Sequence, residues 1–221
     1  MIILRYFTAL IFLILGPVSA LPVIAAAYPD FPMEIVAASL NAQNGYQWNA
    51  AYDIGVKNDT IRIRVGVNLV PADGITTVAL DQVKTVWQSK IEQIWSKKFC
   101  VRDMEGNSVP IVMTLDFSGP DFHHDVIVKA GGRCCSDVLN WHIMDSPLVI
   151  AHEFGHMLGA YDEYAGGALD PQTGLLDPTS IMTSRPETAR IYPRHLKSIL
   201  LWFTQKTGTE NMVLEAIDQS D

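Results

Sequence analysis

An α+β fold, with a mixed twisted sheet and helices packed on it, is predicted by three stretches of this chain. Ile61, Ile63, Val65 and Val67 alternate with Arg62, Arg64, Gly66 and Asn68, the pattern of a strand with one face buried. Leu80, Val83, Trp87, Ile91, Ile94 and Trp95 then recur at three and four residues, the stripe of an amphipathic helix. Further strand-like runs follow. After them Leu148, Val149, Ile150, Ala151, Phe154, Met157 and Leu158 cover every side of a helical stretch, as in a helix buried in a core. Strands and helices therefore mix without strict alternation.

The elements follow in order. Arg5, an apolar run from Tyr6 to Leu15 and the small-residue pattern Val18-Ser19-Ala20 read as a signal peptide over residues 1–20; a second site at Ala25-Ala26-Ala27 would extend it to 27. Gly16, Pro17 and Pro22 interrupt any membrane-spanning helix there, so no stable membrane insertion is expected once the leader is removed. Export makes the protein secreted or periplasmic. Residues 21–50, with Pro22, Pro29, Pro32, Asn44 and Gly45, are expected to be an N-terminal arm too short to fold alone. Residues 51–221 are expected to form one catalytic domain. Within it, Ala51–Val56 and Thr60–Val70 are strands around the turn residues Lys57-Asn58-Asp59. The amphipathic helix ends near Phe99. Val109–Phe117 and Asp125–Ala130 are strands separated by Ser118-Gly119-Pro120, with a third short strand over Val138–Ile143. Ser146 and Pro147 supply a cap and a first-turn proline for the apolar helix, and Gly159 closes it. The loop from Gly166 to Pro178 is irregular. Pro193 opens a C-terminal helix whose face is Leu196, Ile199, Leu200 and Phe203.

The chain has 221 residues, 48% of them hydrophobic, with 16 Lys+Arg against 24 Asp+Glu. Losing Arg5 with the leader leaves 15 against 24, a formal charge of −9. Such acidity excludes nucleic acid as a partner. Of the three cysteines, Cys134 and Cys135 are adjacent and too strained to bridge each other. In an oxidising compartment Cys100 is expected to pair with either, closing a loop that stabilises by about 4 kcal/mol in the chain-entropy model.

The chemistry gathers in His152-Glu153-Phe154-Gly155-His156-Met157-Leu158-Gly159-Ala160-Tyr161-Asp162-Glu163-Tyr164, or H-E-x-x-H-x-x-G-x-x-D-E-Y. Residues four apart on a helix share a face, so His152 and His156 present two imidazoles together with Glu153 beside them. Two histidines and a glutamate buried in an apolar helix need a partner, and a cation supplies it. This is the arrangement of two zinc ligands and a general base. Gly159 turns the chain so that Asp162 returns toward the two histidines, where a third ligand would stand. Glu163 and Glu187 are the competing acids.

With Ser180-Ile181-Met182-Thr183 downstream, residues 147–184 resemble the metzincin clan of zinc peptidases, and aspartate at the third-ligand place is similar to the snapalysin-like secreted proteases. The resemblance implies a zincin/metzincin-like fold, one catalytic Zn(2+) on His152, His156 and Asp162, and Met182 as a hydrophobic floor in a methionine turn. It also implies a downstream side-chain donor for the oxyanion, with Tyr192 first and His195 second. Glu153 would act as general base on a zinc-activated water attacking a peptide carbonyl. A peptide or protein substrate would add to an exposed sheet edge, for which Asp125–Ala130 is the candidate, and Thr183–Tyr192 would wall the specificity pocket. His123 and His124 are expected on a surface turn. The function expected is an exported zinc metalloendopeptidase. The alternatives are a narrow-target toxin or processing protease, and a non-catalytic binding module that retains zinc.

Overall fold

The computed structural model describes residues 27–132, 136–186 and 190–217. The expected leader, Cys134, Cys135 and Glu187 lie outside the described residues. The architecture is mixed α+β. Eight strands, β1 (Phe31–Asn41), β2 (Gln47–Val56), β3 (Ile61–Pro71), β4 (Phe99–Arg102), β5 (Ser108–Asp116), β6 (His124–Lys129), β7 (Asn140–His142) and β8 (Val213–Ala216), form one curled sheet. Three helices accompany them: α1 (Thr77–Trp95), α2 (Pro147–Met157) and α3 (Lys197–Thr207), the last entered through a 3-10 turn at Pro193–Leu196.

The sheet runs β1-β2-β3-β5-β4-β8, with β6 and β7 continuing beside β3. The β2–β3 hairpin turns at Asn58 and Asp59, both at φ near +50°, a conformation that Asn and Asp tolerate better than other side chains. β3 is long enough to serve two partners. Ile61 to Gly66 pair in parallel with β5, and Val67 to Pro71 pair in parallel with β6. Helix α1 lies on the connection between β3 and the β4–β5 pair, as a parallel crossover requires.

Alternation in the strands sorts the two faces. Trp48, Tyr52, Ile54, Ile61, Ile63, Val65, Ile111, Met113, Leu115, Val126 and Val128 are buried, while Arg62, Arg64, Asp53, Thr114 and Asp125 face out. Helix α1 buries Leu80, Trp87, Ile91, Ile94 and Trp95, and its N-terminus is capped by Thr76, whose Oγ1 accepts from Ala79 N. Tyr52 on β2 donates to Ser198 Oγ on α3 at 3.0 Å, fixing that helix to the same face. Among the described residues no helix is long and apolar enough to cross a membrane.

Three expectations are corrected. The stretch expected as an N-terminal arm instead carries β1 and the start of β2, paired antiparallel from Phe31↔Val56 to Asn41↔Gln47. Because β1 is an edge strand and mostly exposed on both faces, it has no period-two hydrophobic signal. β6 is not a free edge, since Ile127 to Lys129 pair with β7. His123 and His124 are not on a solvated turn: Gly66 N donates to His123 Nδ1 at 2.8 Å, and buried His124 places Nε2 2.9 Å from the Ala51 carbonyl. Cys100, inside the sheet between β5 and β8, is a buried thiol 3.7 Å from the Glu215 carbonyl, and its expected partners Cys134 and Cys135 lie outside the described residues.

Candidate metal centre

Helix α2 begins as its sequence dictates. Ser146 Oγ accepts from Leu148 N at 3.3 Å and Pro147 takes the first turn. The helix is then fixed from both sides by indoles. Trp95 on α1 donates from Nε1 to the Ala151 carbonyl at 2.9 Å, and Trp48 on β2 donates to the His156 carbonyl at 3.0 Å. Gly159, at φ +97°, ends the helix, and Ala160 N donates back to the Gly155 carbonyl at 3.0 Å. That turn also aims the Ala160 carbonyl at the His156 ring.

His152, His156 and Asp162 come together, all three about 6% exposed. His152 Nε2 and His156 Nε2 lie 3.1 and 3.3 Å from the same oxygen, Asp162 Oδ1, and the three ligand atoms lie within 4.8 Å of one another. What the other ring nitrogens do decides the chemistry. His152 Nδ1 lies 3.0 Å from the Ile181 carbonyl, and His156 Nδ1 lies 2.8 Å from the Ala160 carbonyl. A carbonyl oxygen only accepts, so each Nδ1 carries a proton, and in the neutral form each imidazole turns its Nε2 lone pair toward the site. Asp162 Oδ1 is buried without a hydrogen-bond partner. Three acceptor atoms thus converge with no hydrogen between them, and a cation is the natural complement of that arrangement. The residues present fit a metal ion.

Asp162 is itself held. Its Oδ2 accepts from Ala168 N at 2.6 Å, and Asp162 N donates to the Ala168 carbonyl at 3.0 Å. Gly167 crosses so close that a Cβ there would sit 2.7 Å from both Asp162 Cβ and Oδ2, a separation that only glycine permits.

Glu153 also faces the cleft and is 5% exposed. Burial raises its carboxyl to about 8; His152 works against that rise, and the charges of Asp162, Asp137 and Asp145 add to it. The cleft, of about 240 Å³, is walled on one side by Asn44 and Tyr46 and on the others by Ser136–Val138, Tyr164 and Gly166–Ala168. The β1–β2 hairpin tip joins the Asp162 loop directly: Asn44 Nδ2 donates to the Gly167 carbonyl at 3.1 Å, and Gln43 N donates to the Leu169 carbonyl at 2.9 Å.

Met182 is fully buried beneath α2, where a Cβ on Gly155 would meet its Sδ at 2.6 Å. Tyr192 and His195 are not among the described residues lining the cleft. Tyr192 shares a 2.6 Å hydrogen bond with Thr179 Oγ1, and the buried His195 puts Nε2 3.1 Å from Glu163 Oε1. Glu163 turns away from the metal centre, its carboxylate gripped by Arg194 at 2.6 and 2.8 Å. Burial raises that carboxyl, but Arg194, His195 and Ser180 together bring it down to about 2.

The phenols at the cleft are Tyr46 and Tyr164. Neither stands out in the sequence as a site residue. Burial first, then the charges of Asp162 and Glu153, push the Tyr164 phenol up to about 12, so it keeps its proton at neutral pH. The signal was present, because Tyr164 stands only two residues beyond Asp162. Compared with family models, curated proteins and solved structures, the chain finds no match in any of the three.

Proposed function

We propose that this chain is an exported zinc-dependent endopeptidase with a metzincin-like catalytic helix, hydrolysing peptide bonds in protein or peptide substrates. The observation that carries the reading is the convergence of His152 Nε2, His156 Nε2 and the partnerless Asp162 Oδ1 beside a buried glutamate at an open cleft. Two imidazoles and one carboxylate form a donor set that suits zinc and retains a formal charge of +1. Bound there, the cation supplies Lewis acidity, lowering the pKa of a water toward about 7 and polarising a carbonyl.

The chain's own residues do the rest. Glu153, beside His152 at the cleft, takes up a proton at its carboxylate during attack and returns it to the leaving amine. A general base has no purpose in a merely structural site, and it is the feature that favours catalysis over a binding module. Tyr164, held as a neutral phenol, donates to the oxygen on which charge develops. The Ile181 carbonyl orients His152, and Met182 packs under the same helix at Gly155. The snapalysin-like third ligand is Asp162, fixed by Ala168 N.

Expression of residues 21–221, measurement of zinc content, and comparison of the native chain with Glu153→Gln on a denatured protein mixture tests this reading. One zinc per chain and proteolysis lost only in Glu153→Gln are expected. A chain that binds zinc yet cleaves nothing refutes general endopeptidase activity and leaves the narrow-target or binding alternatives. A chain that takes up no zinc refutes the metal centre.

A further inference from the structure

The geometry points to Arg194, with His195 and Tyr192, as a positioning clamp that sets metal affinity by gripping Glu163, the neighbour of the third ligand. This inference rests on the metal-centre reading and adds residues that never touch the ion.

Arg194 is engaged on every side. Its Nε and Nη2 donate to the two oxygens of Glu163 at 2.6 and 2.8 Å, a bidentate fork, and Nη2 also donates to Asp177 Oδ2 at 2.6 Å. Its guanidinium lies 4.0 Å from the centre of the Tyr192 ring, and Tyr192 is tied in turn to Thr179. His195 adds a third contact to Glu163, 3.1 Å from Oε1, while its Nδ1 accepts from Tyr192 N at 3.2 Å. Because Nδ1 accepts, the ring proton sits on Nε2 and is donated to the carboxylate. Glu163 is buried, so this grip is exerted away from bulk water.

The backbone passes the constraint on. Glu163 N donates to the Met182 carbonyl at 2.8 Å, and the Glu163 carbonyl accepts from Asp177 N at 2.9 Å. Residue 163 is therefore fixed at its amide, carbonyl and side chain, and residue 162 has little freedom to move. Glu163 N thereby holds the carbonyl of Met182, the residue next to Ile181, and the Ile181 carbonyl sets the proton of His152. One clamp thus constrains Asp162 and the orienting partner of His152 together. Partners that orient metal ligands in this way change affinity by about 10–100-fold when removed.

The test uses the full chain in its metal-bound form. Zinc affinity is measured by competition with a chromophoric chelator, and the visible spectrum of the cobalt-substituted protein reports ligand geometry, for the native chain, Arg194→Leu, Arg194→Lys and Arg64→Leu. Arg64, paired with Asp53 and Asp116 on the outer face of the sheet, controls for loss of an ion pair remote from the centre. Arg194→Leu is expected to weaken zinc binding at least tenfold and shift the cobalt spectrum. Arg194→Lys should recover part of the affinity, and Arg64→Leu should bind as the native chain does. If Arg194→Leu does not fold, Glu163→Gln, which keeps the shape and loses the charge, is held to the same expectation. A folded Arg194→Leu or Glu163→Gln with native affinity and spectrum overturns the clamp while leaving the metal centre standing. A native chain that binds neither ion overturns both.

Discussion

Replacing Asp162 by asparagine is expected to stabilise the metal-free protein while destroying its response to zinc. Asp162 Oδ2 accepts from Ala168 N at 2.6 Å, so an asparagine there must place its carbonyl oxygen toward Ala168 and its amide nitrogen toward the histidines. That nitrogen would take the place of Oδ1, 3.1 Å from His152 Nε2 and 3.3 Å from His156 Nε2. Two facing acceptor pairs become two hydrogen bonds. At about 0.5–1.5 kcal/mol each the gain is about 1–3 kcal/mol, or about 2–12 °C in Tm for a chain of this size. The native chain, by contrast, gains about 4.1 kcal/mol at a zinc concentration of 1,000 Kd, which is about 8–16 °C. A hundredfold weaker site at the same concentration would retain only about 1.4 kcal/mol. Thermal melts of both proteins at pH 8, with chelator and with zinc, measure all four states. The order expected is native metal-free lowest, Asp162→Asn in the middle with or without zinc, and native with zinc highest. If metal-free Asp162→Asn melts below the metal-free native chain, protons sit on Nε2 in the native protein, the cluster is an ordinary set of ion pairs, and the argument from three facing lone pairs fails.

Tyr164→Phe should lower kcat by about 10²–10³, as removal of a transition-state donor does, whereas Tyr192→Phe, outside the cleft, should change kcat less than twofold; steady-state kinetics on one peptide compares them. Trp48→Phe leaves the buried His156 carbonyl without the indole donor now 3.0 Å away and should cost about 1–3 kcal/mol in urea unfolding, with m unchanged. Gly155→Ala puts a methyl 2.6 Å from Met182 Sδ and should cost about 1–3 kcal/mol by overpacking, read from the same unfolding curves. Burial raises the Asp116 carboxyl, yet Ser118 and Arg64 outweigh it and bring it to about 2. A carboxyl depressed in the folded state contributes stability that is complete above its unfolded pKa near 4 and is lost as pH falls toward 2. Melts from pH 5 to pH 2 should therefore fall less steeply in Arg64→Leu than in the native chain.

The elements legible in the sequence were those with one face in the core. β3 showed period two because Arg62 and Arg64 face solvent while Ile61, Ile63 and Val65 do not, and α1 showed period 3.6 because only one stripe meets the sheet. β1 was illegible for the opposite reason: an edge strand that buries neither face fully has no pattern to display. β4 and β8, four residues each, are too short to show a period. Within the site, spacing on a helix brought His152, Glu153 and His156 together, and a glycine turn brought back Asp162. Distance in sequence hid the remainder. Nothing local in Asn44 or Tyr46 says that a hairpin tip more than a hundred residues away closes over the centre, nor that Trp48 holds its helix. Tyr192 and His195 lie close to the centre along the chain, but Glu163, Arg194 and Thr179 offer them better partners than the cleft does.

The orientation of the two imidazoles also bears on when the chain can become active. Each Nδ1 proton is committed to a carbonyl that exists in place only after folding: Ala160 after the glycine turn has formed, and Ile181 after the segment leading to Met182 has docked beneath α2. The acceptors facing Asp162 Oδ1 are therefore created by the fold, and leaving such buried groups unsatisfied costs about 1–3 kcal/mol apiece against a total stability of about 5–15 kcal/mol. On the proposed reading the metal-free chain carries this cost in one place, the loop from Asp162 to Leu169, which is secured by Asn44, Gln43 and Ala168 rather than by a deep apolar core. Zinc removes the cost at that place. Metal binding and closure of the Asp162 loop are then a single event, and hydrogen exchange at Ala168 N, whose acceptor is Asp162 itself, should slow on zinc addition by more than exchange at Ile63 or Val65 in the sheet.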